Sequence, residues 1–161
     1  MFDSQAVQIA NLEEAYRAFC ETLLALAPNV YLASLGDWTP RDIAAHVVGW
    51  NRITLVGSAQ LREGVWPIYF DDGTNDYRQV NAGFCARFTA SDRGEMLAQK
   101  DSTMGELMSY LRLVPEGEWE LDTGVIHYRP GPATVARRVD SLIRDDRKHR
   151  EEILARPKPV V

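Results

Sequence analysis

The chain has 161 residues, of which 45% are hydrophobic and 25% charged, with a formal net charge of −5 and a pI near 5.2. This is the balance of a water-soluble globular protein, and the length fits one domain (1–161) with a sizeable core. It argues against a general nucleic-acid binder, which needs a basic face. No apolar run is long enough to cross a bilayer, and the opening "MFDSQAVQIANLEEAY" has neither a basic leader nor an apolar signal core. The two cysteines, Cys20 and Cys85, form no disulfide framework and no metal-like spacing. A cytoplasmic protein with free thiols is expected, without membrane or nucleic-acid partners.

The first predicted element is a helix from about Ser4 to Ala27. Val7, Leu12, Ala15, Phe19, Leu23 and Leu26 recur at helical spacing, and Pro28 stops it. The second helix begins at Thr39, a good N-cap, with Pro40 in the first turn and Asp42 where a capping-box acid belongs. Ile43, Val47, Trp50 and Thr54 form its inner face, and Gly64 is its natural stop. "VWPIYFDDGTND" (Val65 to Asp76) reads as a loop in which Trp66, Tyr69 and Phe70 either wall a pocket or simply pack. "YRQVNAGFCARF" predicts a short helix ending near Phe88, with Cys85, like Cys20, among apolar neighbours and read as core.

A third long helix follows in "TASDRGEMLAQKDSTMGELMSYLRLV", with Ser91 as its expected cap and Met96, Met104, Leu107, Met108 and Leu111 inward. "PEGEWELDTGVIHYRPGP" (Pro115 to Pro132) has no helical period and holds Trp119, His127 and Tyr128. The last helix runs from a cap at Thr134 to about Ala155, and "RPKPVV" should fray. Its cations Arg137, Arg138, Arg144, Arg147, Lys148 and Arg150 are interrupted by Asp140, Asp145 and Asp146, the pattern of a solvated helix face. The fold class expected is all-α: a four-helix bundle with long inter-helix connections.

Two helices carry polar exceptions on their buried faces. On the last one, Val135, Val139, Leu142 and Ile153 share a stripe. Asp146 falls near its middle, His149 at its edge, and Asp145 one turn before His149. On the second, His46 sits among Ile43, Ala44, Ala45, Val47 and Val48, with Asp42 and Trp50 one turn away on either side. Burying an unpaired polar group costs about 1–3 kcal/mol, so these groups should meet each other, a metal or water. Spacing alone leaves two readings open. In one, His46 and the last helix hold a divalent ion. In the other, His46 is a neutral core imidazole bonded to Asp42 or a backbone carbonyl.

"WTPRDIAAHVVGW", from Trp38 to Trp50, resembles the second-helix signature of the DinB-like superfamily. That group includes thiol-dependent transferases, the mycothiol-dependent maleylpyruvate isomerase N-domain and ClbS/DfsB-type four-helix proteins. "YRQVNA", with Asn81, and "TVARRVDSLIRDDRKHREEI" resemble its short segment and its last helix. The resemblance implies a DinB/YfiT-like bundle and a metal, zinc or nickel, held by one histidine of the second helix and a His-x-x-x-His pair of the last. His46 and His149 fall on two of those positions. The third falls on Asp145, where the superfamily usually has histidine.

Two functions follow from the resemblance. One is a metal-dependent enzyme that transfers a low-molecular-weight thiol to an electrophile or hydrolyses a small reactive molecule, with His46, Asp145 and His149 as ligands. Its only candidate general bases are Asp146 and Asp42. The other, favoured by Asp145, is a metal-free binding or resistance module for a small molecule. A homodimer is also expected by resemblance.

Overall fold

A computed structural model describes residues 4–68, 77–90, 92–126 and 131–155. The described chain is all-helical: α1 (Gln5–Leu24), α2 (Pro28–Tyr31), α3 (Pro40–Arg62), α4 (Tyr77–Phe88), α5 (Arg93–Leu113), α6 (Glu116–Trp119) and α7 (Val135–Leu154). Among the described residues the only β pairing is an isolated bridge between Ile126 and Pro132. Among the described residues no helix is long and apolar enough to cross a membrane. Tyr69, Phe70, Ser91, His127, Tyr128 and the last six residues lie outside the described residues.

The four helices of 20 residues or more make the framework. α1 packs along α7, and α3 packs along α5. Contacts of α3 with α7 and of α1 with α5 complete the ring, and α4 lies on α3. Among the described residues seven helices stand where four long ones and one short one were expected. The additions, α2 and α6, are single turns. A single turn is too short to show a helical period.

The ends of the helices follow the sequence signals. Thr39 Oγ1 accepts from the Asp42 N–H at 3.2 Å, and Asp42 Oδ2 accepts from the Thr39 N–H at 2.9 Å. This is a complete capping box, and such caps contribute about 1 kcal/mol. Gly64, at φ 69°, turns the chain out of α3 in a conformation that costs glycine little. Thr134 caps α7 by accepting from the Arg137 N–H. The cap of α5 is Asp92, whose Oδ1 accepts from the Glu95 N–H at 2.9 Å, in place of the expected Ser91.

The inner faces match the predicted stripes on α3, α5 and α7. On α1, Val7 is exposed and the neighbouring Gln8 is buried in its place. Gln8 Nε2 donates to the Ala136 carbonyl at 3.2 Å, and its Oε1 accepts from the Trp119 indole at 2.6 Å. A fully bonded amide thus occupies the inner position, and Trp119 is committed to the core.

The core is layered. One apolar group contains Leu12, Leu107, Leu111 and Val139, and a second contains Phe19, Leu23, Val48 and Met96. Buried polar residues fall between them along the helices. Lys100 and Thr103 lie between Leu97 and Met104 on α5, and Asp146 and His149 between Ile143 and Ile153 on α7. This polar layer opens at one side into a cavity.

Candidate functional site

The cavity has a volume of about 780 Å³ and is walled chiefly by α3, α4, α7 and the segment before α3. Its size suits a small organic molecule. The sequence explains why it forms there. The α7 stripe 135, 139, 142 continues at 146, 149 and 153, so the helix turns Asp146 and His149 toward the core where apolar residues would otherwise sit.

His46 stands at the bottom of the wall. Its ring lies 5.0 Å from that of Trp38, 6.1 Å from that of Trp50 and 5.2 Å from that of His149, all between centroids. It is 5% exposed, and its Nδ1 is buried without a hydrogen-bond partner among the described residues. Burial pushes its pKa down from 6.5 to about 3, and the positive charges of His149 and Arg138 push the same way, against a hydrogen bond with Asn81. At neutral pH His46 is therefore an uncharged imidazole. Asp42, one turn earlier, is committed to the α3 cap and does not supply the missing bond.

His149 faces His46 across the cavity with the two rings edge to face. Its Nδ1 lies 2.9 Å from Glu152 Oε2. A carboxylate bonded to one ring nitrogen sets the tautomer and leaves the other nitrogen for whatever enters the cavity. Asn81 on α4 accepts from the Trp50 indole N–H at 2.9 Å and so fixes the aromatic wall. Tyr77 and Phe84 pack edge-on against the same indole.

Arg144, Arg147, Lys148 and Arg150 of α7 are exposed, as the alternating charges suggested, while Arg137 and Arg138 are half-buried. Arg138, Arg144 and Lys148 line the cavity together with Arg78, and so do the carboxylates of Asp37, Asp145 and Glu152. The Arg138 guanidinium lies 4.5 Å from the Trp50 ring centroid, and its Nε donates to Thr54 Oγ1 at 2.9 Å. The cavity is thus close to charge balance, and the excess negative charge of the chain lies elsewhere.

The three residues singled out as ligands share this cavity: His46, Asp145 and His149 all line it. The two imidazoles meet; among the described residues no hydrogen bond or ion pair joins Asp145 to either. Among the described residues no group of three or more His, Cys, Asp or Glu side chains is arranged to hold a metal ion. The carboxylate at the centre of the α7 stripe is Asp146, which is 3% exposed with Oδ2 unpartnered. Burial raises its pKa to about 6, against the charges of Lys100 and His149.

Sequence reasoning missed Glu152, Arg138 and Lys100. Each reads as a solvated charge on an exposed helix face; helix packing buries Lys100 and half-buries Arg138, while Glu152 stays exposed where it lines the cavity. Trp66, weighed as a pocket wall, is exposed and does not line the cavity. Cys20 and Cys85, read as core, are both half-buried free thiols.

The sequence matches no family profile and no curated protein. Solved structures do match the fold over almost the whole chain. The colibactin self-resistance protein ClbS, solved in complex with a double-stranded DNA, superposes with a TM-score of 0.80 at 14% identity, covering 98% of both chains. DfsB, described as a sibling lethal factor precursor, gives a TM-score of 0.80 at 15% identity, covering 96% of this chain and 95% of its own. A Streptococcus pneumoniae protein gives 0.77 at 15% identity, covering 96% and 91%. At these identities the likeness is one of fold: the chain has the DinB/ClbS-like fold that the second-helix signature implied.

Proposed function

We propose that this chain is a small-molecule-handling resistance module, which takes a small reactive compound into the cavity between α3, α4 and α7. One observation carries the reading: a neutral imidazole, His46, with a buried and unpartnered nitrogen in the wall of a 780 Å³ aromatic-lined cavity. A buried polar atom without a partner is costly, and a ligand that bonds to it recovers that cost on binding. Arg138 and Lys148 suit electron-rich groups on the ligand, and Trp38 and Trp50 suit a flat apolar body. The fold shared with the self-resistance protein ClbS supports the same class.

The test uses protein purified without a histidine tag. Its tryptophan emission is titrated with a panel of small electrophiles, since Trp38 and Trp50 wall the cavity. Loss of each electrophile is then followed with and without a low-molecular-weight thiol. Saturable quenching without bound metal and without turnover is the expected result. No quenching by any compound overturns the reading.

The second reading is a metal-dependent enzyme with His46, Asp145 and His149 as ligands to zinc or nickel. The facing imidazoles and the open Nδ1 of His46 favour it; the lack of a third group in ligating position weighs against it. Stoichiometric metal in the same preparation, together with turnover, selects it. Neither reading uses nucleic acid as a ligand, in keeping with the net charge of −5. A salt-dependent gel shift of a generic duplex at micromolar protein overturns that part.

A further inference from the structure

On the α1–α5 side of the polar layer, Lys100 is fully buried, and its Nζ donates to Cys20 Sγ at 3.3 Å. The amine is caged by aromatic rings, 3.5 Å from the Tyr16 centroid and 4.4 Å from that of Phe19. Asp101 closes the outer side: its Oδ1 accepts from the Tyr16 hydroxyl at 2.7 Å and from the Cys20 thiol at 3.9 Å. Cys20 is half-buried, so the residue is partly accessible to a small solute. A buried lysine is usually matched by a carboxylate in direct contact. Here the atom that Nζ touches is a sulfur.

We propose that Cys20 and Lys100 are a peroxide-driven modification site, in which a covalent sulfur–nitrogen link forms between α1 and α5. In the first step the Cys20 sulfur attacks hydrogen peroxide. An S–O bond forms, the O–O bond breaks, and the second oxygen leaves as water with the thiol proton. The product is a sulfenic acid, which condenses with nitrogen nucleophiles when one lies close. In the second step the lone pair of the Lys100 amine attacks the same sulfur. The S–O bond breaks, and its oxygen leaves as water with one proton from the nitrogen. Thiol, amine and one peroxide give the link and two waters.

The placement of the amine favours the second step. The amine needs no search, because it already lies against the sulfur. Attack requires the uncharged amine, and complete burial lowers the Lys100 pKa, against the nearby charges of Asp146, Cys20 and Asp101. Cys85 provides the contrast within the same chain. Its thiol donates to the Asp42 carbonyl at 3.4 Å rather than meeting an amine nitrogen, as Cys20 does. Burial and the Asp42 charge push its pKa up to about 11, which suppresses the reactive thiolate.

The full chain, freed of reductant, is treated with hydrogen peroxide and analysed by intact and tryptic mass spectrometry. The expected product is lighter than the reduced chain by two hydrogens. The peptides carrying Cys20 and Lys100 are joined, trypsin no longer cuts after Lys100, and dithiothreitol restores both signals. In Lys100→Met the link is absent and dimedone captures Cys20 as its sulfenic acid. Should that variant fail to fold, the wild-type chain decides alone. Cys20 recovered only as thiol, dimedone adduct or sulfinic acid, with normal cleavage after Lys100, overturns the proposal.

Discussion

His46 and His149 meet edge to face with ring centroids 5.2 Å apart, one from α3 and the other from α7. Both are nearly buried, and their partners differ in kind. His149 is braced by Glu152, whereas the Nδ1 of His46 has no partner among the described residues. Burial, with His149 and Arg138 beside it, holds the His46 pKa down.

That relationship fixes a pH dependence. The His46 pKa falls from 6.5 to about 3 on folding, so below pH 6.5 the unfolded chain binds a proton that the folded chain refuses. Stability from this group is therefore lost as pH falls from about 6.5 toward 3. Asp146 works in the opposite sense. Its pKa rises from 3.8 to about 6 on folding, so its contribution is present at low pH and lost as pH rises through about 6. Urea unfolding at pH 7 and pH 4 should show His46→Gln losing less stability on acidification than the wild type, and Asp146→Asn losing more. Equal losses in all three proteins remove the argument.

Asn81→Ala removes the acceptor of the Trp50 indole bond at 2.9 Å and leaves a buried N–H to find water. The expected cost is about 1–3 kcal/mol. A red shift of tryptophan emission should accompany it, with weaker quenching by any cavity ligand. Unchanged emission and affinity would mean that Asn81 neither orients the indole nor shapes the cavity.

How much of this was legible in the sequence depends on which physical signal each residue carries. The long helices announce themselves through period and caps: Thr39 with Asp42, Thr134, and the apolar rows that end in proline or glycine. His46 and His149 stand out because a titratable ring on an apolar stripe breaks the pattern. Lys100 gives no such signal, since a lysine in "LAQKDST" reads as the wet face until α1 places aromatic rings over it. Glu152 is hidden in the same way in a run of charges. Asp145 and Asp146 show how resemblance and periodicity divide: resemblance points to Asp145, which lines the cavity, and the helical stripe to Asp146, which enters the core.

Gly49→Ala tests how tightly α4 lies on α3. A methyl group at Gly49 would land on the Phe84 ring, which itself packs edge-on against Trp50 with centroids 5.6 Å apart. Overpacking of this kind costs about 1–3 kcal/mol. The ring must leave and take α4 with it, so amide hydrogen exchange across Tyr77–Phe88 should accelerate more than exchange in α5. Uniform exchange rates in the variant would show that the α3–α4 contact adjusts without moving the helix.

Asp145→His asks whether the cavity can take a metal at all. The wild-type wall offers two imidazoles that meet, and the Asp145 carboxylate, which among the described residues is hydrogen-bonded to neither. An imidazole at 145 lies one helical turn before His149 and therefore on the same side of α7. It supplies a third nitrogen of the kind that zinc and nickel favour. If His46 and His149 are placed to ligate, the substitution should raise bound zinc from substoichiometric to about one per chain. Adding His46→Ala should abolish it, while α3 stays anchored by Ile43, Val47 and Trp50. The readout is metal content by elemental analysis beside circular dichroism of each variant. Zinc that fails to bind Asp145→His, in a protein that is folded, shows that the two histidines are not placed to ligate. It also leaves the metal-free module as the reading of this fold.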